Sequence, residues 1–179
     1  MIAYQLSGHD NDTWAYKWPG APRCQACGYV TNRDTIDPAL RVKRRRLDVS
    51  STYDNVLLVS RRLAEACLDE WEVGLVPLTA DPEFLALRPP RIVPFDAERR
   101  GTRFENKCSL CGRYESVVGA KPGFLRISAL PTPDGFFRTD LEFGSGDEKS
   151  PLIVASLSVR ERLMRRFPRL EWHAMEGAV

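Results

Sequence analysis

Four of the five cysteines stand in two matching turns, Cys24-Gln25-Ala26-Cys27-Gly28 and Cys108-Ser109-Leu110-Cys111-Gly112. Two thiolates separated by two residues can grip one metal ion if the chain folds back tightly between them. The glycine after the second cysteine permits that turn, because it lacks the Cβ that would hold backbone N–H groups away from the sulfurs. Two such half-sites supply the four soft ligands that a tetrahedral structural zinc prefers. One zinc per chain, held by Cys24, Cys27, Cys108 and Cys111, is therefore expected. A Cys-x-x-Cys turn can also be a redox dithiol, but such a motif normally comes once, ahead of a helix, and no strong helix signal follows either turn. A disulfide framework is the third possibility, and it suits short secreted domains. The fifth cysteine, Cys67, lies at helical spacing with Leu63 and Trp71 and reads as core rather than reactive.

No catalytic constellation accompanies the cysteines. His9 and His173 are the only histidines, at opposite ends of the chain and outside any metalloprotease spacing. Gly144-x-Gly146 lacks the Lys-Ser/Thr of a phosphate loop, no Gly-x-Ser-x-Gly elbow occurs, and no His-x-Glu precedes a cysteine pair. With four thiolates on one metal, no coordination position remains for water, so the expectation is a protein that is not an enzyme.

The elements that must position these turns follow from the apolar pattern. The run Asn55–Ser60 reads as a buried strand, and Leu63, Cys67 and Trp71 mark one face of a helix over 61–71 capped by Ser60. Residues 72–78 read as another strand. After the second turn the order recurs: a strand over 151–156, a capping box Ser158-Val159-Arg160-Glu161, a helix face of Val159, Leu163 and Phe167 ended by Pro168, and a closing strand over 170–175. The fold expected is α+β, with mixed or antiparallel sheets and two short helices in a pseudo-duplicated arrangement. It forms a single compact domain over 1–179, built of two similar halves (about 1–105 and 106–179) that share one zinc site. Residues 79–107, with Pro82, Pro89, Pro90 and Pro94, read as an extended, partly packed loop. Within 131–150, the turn signals Pro131, Pro133-Asp134-Gly135 and Gly144-Ser145-Gly146-Asp147 bracket a strand over 136–143.

Composition narrows the class. The hydrophobic content of 43% is that of a globular protein, and no apolar run approaches the ~20 residues that span a bilayer, so no membrane association is expected. No positively charged start leads into an apolar run, which favours a cytoplasmic setting. The net charge of +2 creates no global field toward nucleic acid. The one dense basic cluster is Arg41, Lys43, Arg44, Arg45 and Arg46, which keeps a zinc-ribbon nucleic-acid-binding protein as the alternative, with Asp34, Asp37 and Asp48 close by as pairing partners in a purely solvated loop.

The stretch Trp18-Pro19-Gly20-Ala21-Pro22-Arg23 before the first turn and Arg113 after the second resemble the double-CXXCG motif family of bacterial immunity proteins. In that family a Trp/Pro-Gly lead precedes the first cysteine turn and a Cys-x-x-Cys-Gly-Arg turn comes later. Ile2–Leu6 is similar to its N-terminal strand, and Phe137-Arg138 with the segments 152–156, 159–167 and 170–175 to its last part. Gln25 stands where a proline is common, and the Trp-to-Pro interval is shorter. The resemblance implies stoichiometric neutralisation of a cognate toxin delivered between bacteria, with no catalytic residues to carry over. A nuclease toxin would call for an acidic inhibitory surface, for which Asp140, Glu142, Asp147 and Glu148 are the best local candidates.

Overall fold

The computed structural model describes residues 2–126 and 134–177. In chain order its elements are β1 (Ile2–Ser7), β2 (His9–Asp10), β3 (Val49–Ser51), β4 (Leu57–Ser60), α1 (Arg61–Leu68), β5 (Leu75–Pro77), β6 (Phe84–Leu87), β7 (Ile92–Val93), α2 (Ala97–Arg100), β8 (Arg103–Lys107), β9 (Tyr114–Val118), β10 (Phe124–Leu125), β11 (Phe136–Ser145), β12 (Ser150–Ser156), α3 (Leu157–Arg166) and β13 (Glu171–Gly177). They form two sheets. One runs β10-β13-β1-β12-β11-β9-β8 with β7 beside β11, and the other runs β2-β3-β4-β6-β5. Both are mixed: β10–β13 and β7–β11 are parallel in the first, β2–β3 in the second, and the remaining pairs are antiparallel.

The α+β expectation holds, with three helices among the described residues rather than two. The additional one, α2, is a single turn capped by Asp96, too short to show a helical period. The stretch 79–107 is not a loop but carries β6, β7, α2 and β8. Its prolines sit between these short elements, Pro82 before β6, Pro89-Pro90 after it and Pro94 after β7, where a missing N–H costs no ladder bond. Both longer helices begin one residue after a serine cap. Ser60 Oγ accepts from Leu63 N at 3.3 Å as expected, but at α3 the cap is Ser156, whose Oγ accepts from Val159 N at 3.4 Å. Ser158, expected as the cap, donates instead to Asp134 Oδ1. Pro131 and Pro133 of the expected turn lie outside the described residues.

Two stretches of the chain each contain a strand–helix–strand unit whose two strands are parallel and separated by a third. β4 and β5 both run antiparallel to β6, and β12 and β13 both run antiparallel to β1. The likeness is confined to that unit, because the inserted strand follows directly in one case and comes from the chain's beginning in the other.

The strand patterns show why each sheet is covered on both faces. In β4, Leu57 and Val59 join one core while Leu58 joins another, as alternation requires. The largest core takes residues from both sheets (Leu6, Phe136 and Ala155; Leu57, Val59 and Leu87) and the apolar faces of α1 and α3. A second core lies under the irregular stretch 11–48, where Ala15, Tyr16, Val30, Leu40 and Val42 pack on Leu58, Phe84 and Ala86. The third gathers Val93, Phe95, Val117 and Leu125 against Phe137, Phe143 and Val154. The chain passes from one sheet to the other at Gly8, where a Cβ would lie 2.6 Å from the backbone carbon of Ser50. Replacing Gly8 by Ala is expected to destabilise the protein by about 1–3 kcal/mol, read from the denaturant midpoint, because only backbone movement can relieve that clash. An unchanged midpoint would contradict this packing.

Candidate metal centre

Each cysteine turn is closed the same way. Gly28 N donates to Cys24 O at 2.8 Å and Cys24 N to Tyr29 O at 2.8 Å; Gly112 N donates to Cys108 O at 3.0 Å and Cys108 N to Arg113 O at 2.8 Å. Gly28 and Gly112 have φ of +72° and +70°, and a Cβ at either would meet no atom within 4 Å. The glycines are needed for the left-handed backbone and not for space. The first turn hangs from the bridge Arg23↔Val30, and the second is the tip of the β8–β9 hairpin, whose last pair is Lys107↔Tyr114. Gly20, in the lead to the first turn, is a different case: a Cβ there would fall 2.1 Å from the Trp18 ring folded over it.

The two turns meet at their sulfurs. Cys24 Sγ lies 3.9 Å from Cys108 Sγ, and Cys27 Sγ lies 3.7 Å from Cys111 Sγ. All four sulfurs are within 4.8 Å of one another. A disulfide would need about 2.05 Å. A tetrahedron with metal–sulfur bonds of about 2.3 Å has edges of about 3.8 Å, so the cluster fits one ion bound by four thiolates. The four residues are free thiols, as is Cys67 in the core, whose thiol burial pushes up to about 12. Within each turn the first sulfur receives backbone N–H groups. Cys27 and Ala26 lower the Cys24 thiol, and Cys111 and Leu110 bring Cys108 down to about 6. Cys27 moves the other way, pushed up to about 12, by desolvation first and then by the neighbouring thiols. Its residue is exposed overall, but its sulfur is crowded by the other three. Four sulfurs at this spacing cannot all ionise alone, and a cation among them removes the conflict.

A shell of ion pairs and ring contacts holds the turns together. Arg113 Nη1 donates to Val30 O at 2.7 Å, tying the second turn to the first, and its guanidinium lies 4.7 Å from the Tyr29 ring centre. Arg23 donates to Gly28 O at 2.8 Å and to both carboxylate oxygens of Asp147 at 2.7–2.8 Å. Behind Tyr29, its hydroxyl donates to Glu142 Oε2, and buried Arg33 places Nε 3.6 Å from Glu142 Oε1. Spacing alone did not reveal Tyr29, Arg33 or Lys149. The adjacency of Arg23 and Arg113 to the cysteine turns was the available signal for those two.

The candidate acidic surface is divided by these contacts. Glu142 and Asp147 face inward to cations, while Asp140 and Glu148 are exposed, with Asp140 Oδ1 accepting from Phe95 N at 2.8 Å. In the basic cluster, Lys43 donates to Asp12 O, Arg44 pairs with Asp12 at 2.9 Å and Arg45 with Asp81 at 2.5 Å; Arg41 and Arg46 are exposed. His9 lies 3.0 Å from Glu171, and His173 is exposed on β13. No helix of the described residues is long and apolar enough to cross a membrane. No protein-family model, curated protein or solved structure matches the chain.

Burial pushes the Glu142 carboxyl from its ordinary 4.5 up to about 7, against the pull of Lys149. Because the folded value exceeds the unfolded one, the neutral carboxyl stabilises the fold below about pH 4.5, and that contribution is lost as pH rises through 7. Glu142→Gln is therefore expected to gain stability relative to the wild type between about pH 5 and about pH 8, by on the order of 2 kcal/mol. A stability difference that stays flat across that range would rule out the shift.

Proposed function

We propose that this chain is a non-enzymatic protein whose fold is stapled by one structural zinc, and that it acts by binding and neutralising a protein toxin of a competing bacterium. The observation that carries the first half is the convergence of Cys24, Cys27, Cys108 and Cys111 into one cluster of tetrahedral size. Four thiolates on one ion complete its coordination and leave no place for a substrate or a nucleophilic water. The pairing of Arg44 and Arg45 with Asp12 and Asp81 weighs against a phosphate-binding role for that cluster. The toxin half rests on the resemblance of the two turns and the Trp18-Pro19-Gly20 lead to double-CXXCG immunity proteins.

The two halves are tested separately. Elemental analysis is expected to give about one zinc per chain, and Cys24→Ser or Cys108→Ser each to abolish it with loss of thermal stability. Metal retained at full stoichiometry in either variant would break the shared site. For the toxin, the product of the adjacent gene is expected to co-purify with this protein, and expression of the chain to rescue a host from that product. Failure of both, with zinc content intact, would reject the immunity role and leave the metal staple standing.

A further inference from the structure

Beside the cysteine cluster an open cleft of about 790 Å³ brings Cys27 and Cys108 together with four cations, Arg23, Lys107, Arg113 and Lys149. Three of the four are accounted for. Arg23 is held by Asp147 and the Gly28 carbonyl, Arg113 by the carbonyls of Val30 and Thr31, and Lys107 is exposed with its ammonium 5.7 Å from the Tyr114 ring centre. Lys149 is different. It is only 3% exposed, yet it lines the cleft just before β12, with Nζ 4.2 Å from the centre of the Tyr29 ring. Among the described residues no acceptor lies within hydrogen-bonding distance of that ammonium. The ammonium itself still touches the cleft, but burial of the residue disfavours its charge and only an aromatic face lies beside it, so a nearby anion would compensate it.

A metal held by the four thiolates would supply such an anion. A divalent ion with four thiolates would carry two net negative charges, and here Cys27, Cys108 and Lys149 line the same cleft, with Tyr29 following Cys27-Gly28 directly. Asp147 is already matched by Arg23, so it does not serve Lys149. The other carboxylate in reach is Glu142, attracted to Lys149 from behind Tyr29, whose hydroxyl it accepts.

We infer that Lys149 is the counter-cation of the metal–thiolate centre, a positioning residue that balances the charge on the sulfurs and thereby sets how tightly the metal is held and how slowly the thiolates react with electrophiles. Glu142 competes for the same charge from the far side. Outer partners of this kind commonly change metal affinity 10–100-fold when removed, which is about the effect expected here. The inference rests on the metal reading above.

The test is a zinc competition titration against a chromophoric chelator at about pH 8, with iodoacetamide alkylation of the zinc-loaded protein in parallel. Lys149→Met is expected to weaken zinc binding about 10–100-fold and to speed alkylation, and Lys149→Arg to restore most of both. Glu142→Gln, which keeps the shape and leaves Lys149 to the sulfurs alone, is expected to tighten binding. Measured on apo-protein shown to be folded, so that the stability gain expected of the same variant does not enter, that sign separates charge balance from a merely structural role. Zinc affinity of Lys149→Met within about two-fold of wild type, an arginine variant as impaired as the methionine one, or weaker binding in Glu142→Gln would each overturn the inference. Should Lys149→Met not fold, the arginine and Glu142→Gln variants decide it. A wild-type chain that takes up no zinc overturns the metal reading itself, before any variant is compared.

Discussion

The cysteine cluster depends on holding residues 11–48, a stretch with no named strand or helix, at a fixed distance from the β8–β9 hairpin. Such a stretch has backbone groups with no ladder to join, and burying them unpaired would cost more than the packing returns. Three buried polar side chains take the place of a ladder. Asp54 accepts from the N–H groups of Ala15 and Tyr16, Asn11 Oδ1 from Lys43 and Arg44, and Asp81 from Val42. With that framework set, Arg113 reaches from the second turn to Val30 O and Thr31 O beyond the first. Protein contacts thus preset the distance between the sulfurs, and an ion entering there has little chain left to order.

The charges around the cysteines follow from the same need. Four sulfurs crowd together, backbone N–H groups favour the charge on Cys24 and Cys108, and the surrounding shell is rich in cations: Arg23, Arg113, Lys149 and, one layer back, Arg33. Glu142 and Asp147 stand among those cations as their partners, which is why two of the four acidic residues that look available in the sequence are turned inward. A residue's formal charge says little about its role until the charges facing it are known.

The local elements were the most legible part. The strand–helix–strand run after each cysteine turn appears nearly where the apolar period puts it, and Ser60 caps α1 as expected while Ser156 rather than Ser158 caps α3, because each depends on interactions within a few residues. The elements of 79–107, β6, β7, α2 and β8, leave no period in the sequence because they are two to five residues long and punctuated by prolines. Periodicity needs a longer window than that. The two strand–helix–strand units do share a local geometry, yet the strand inserted in each comes from a different part of the chain, and that choice is made by sheet pairing rather than by local pattern.

What the sequence determined by itself is the candidate ligand set. Cys-x-x-Cys-Gly fixes a tight turn, a left-handed glycine and two convergent sulfurs within five residues, and no distant contact is needed to read it. Only the tertiary structure decided that the two turns face each other, that Tyr29, Arg33, Glu142 and Lys149 gather behind them, and that part of the basic cluster is spent on Asp12 and Asp81. Those relations join residues up to 124 positions apart, as Arg23 and Asp147 are. They are set by which faces the sheets bury and which charges then have to be matched, and neither is written in the spacing of any one segment.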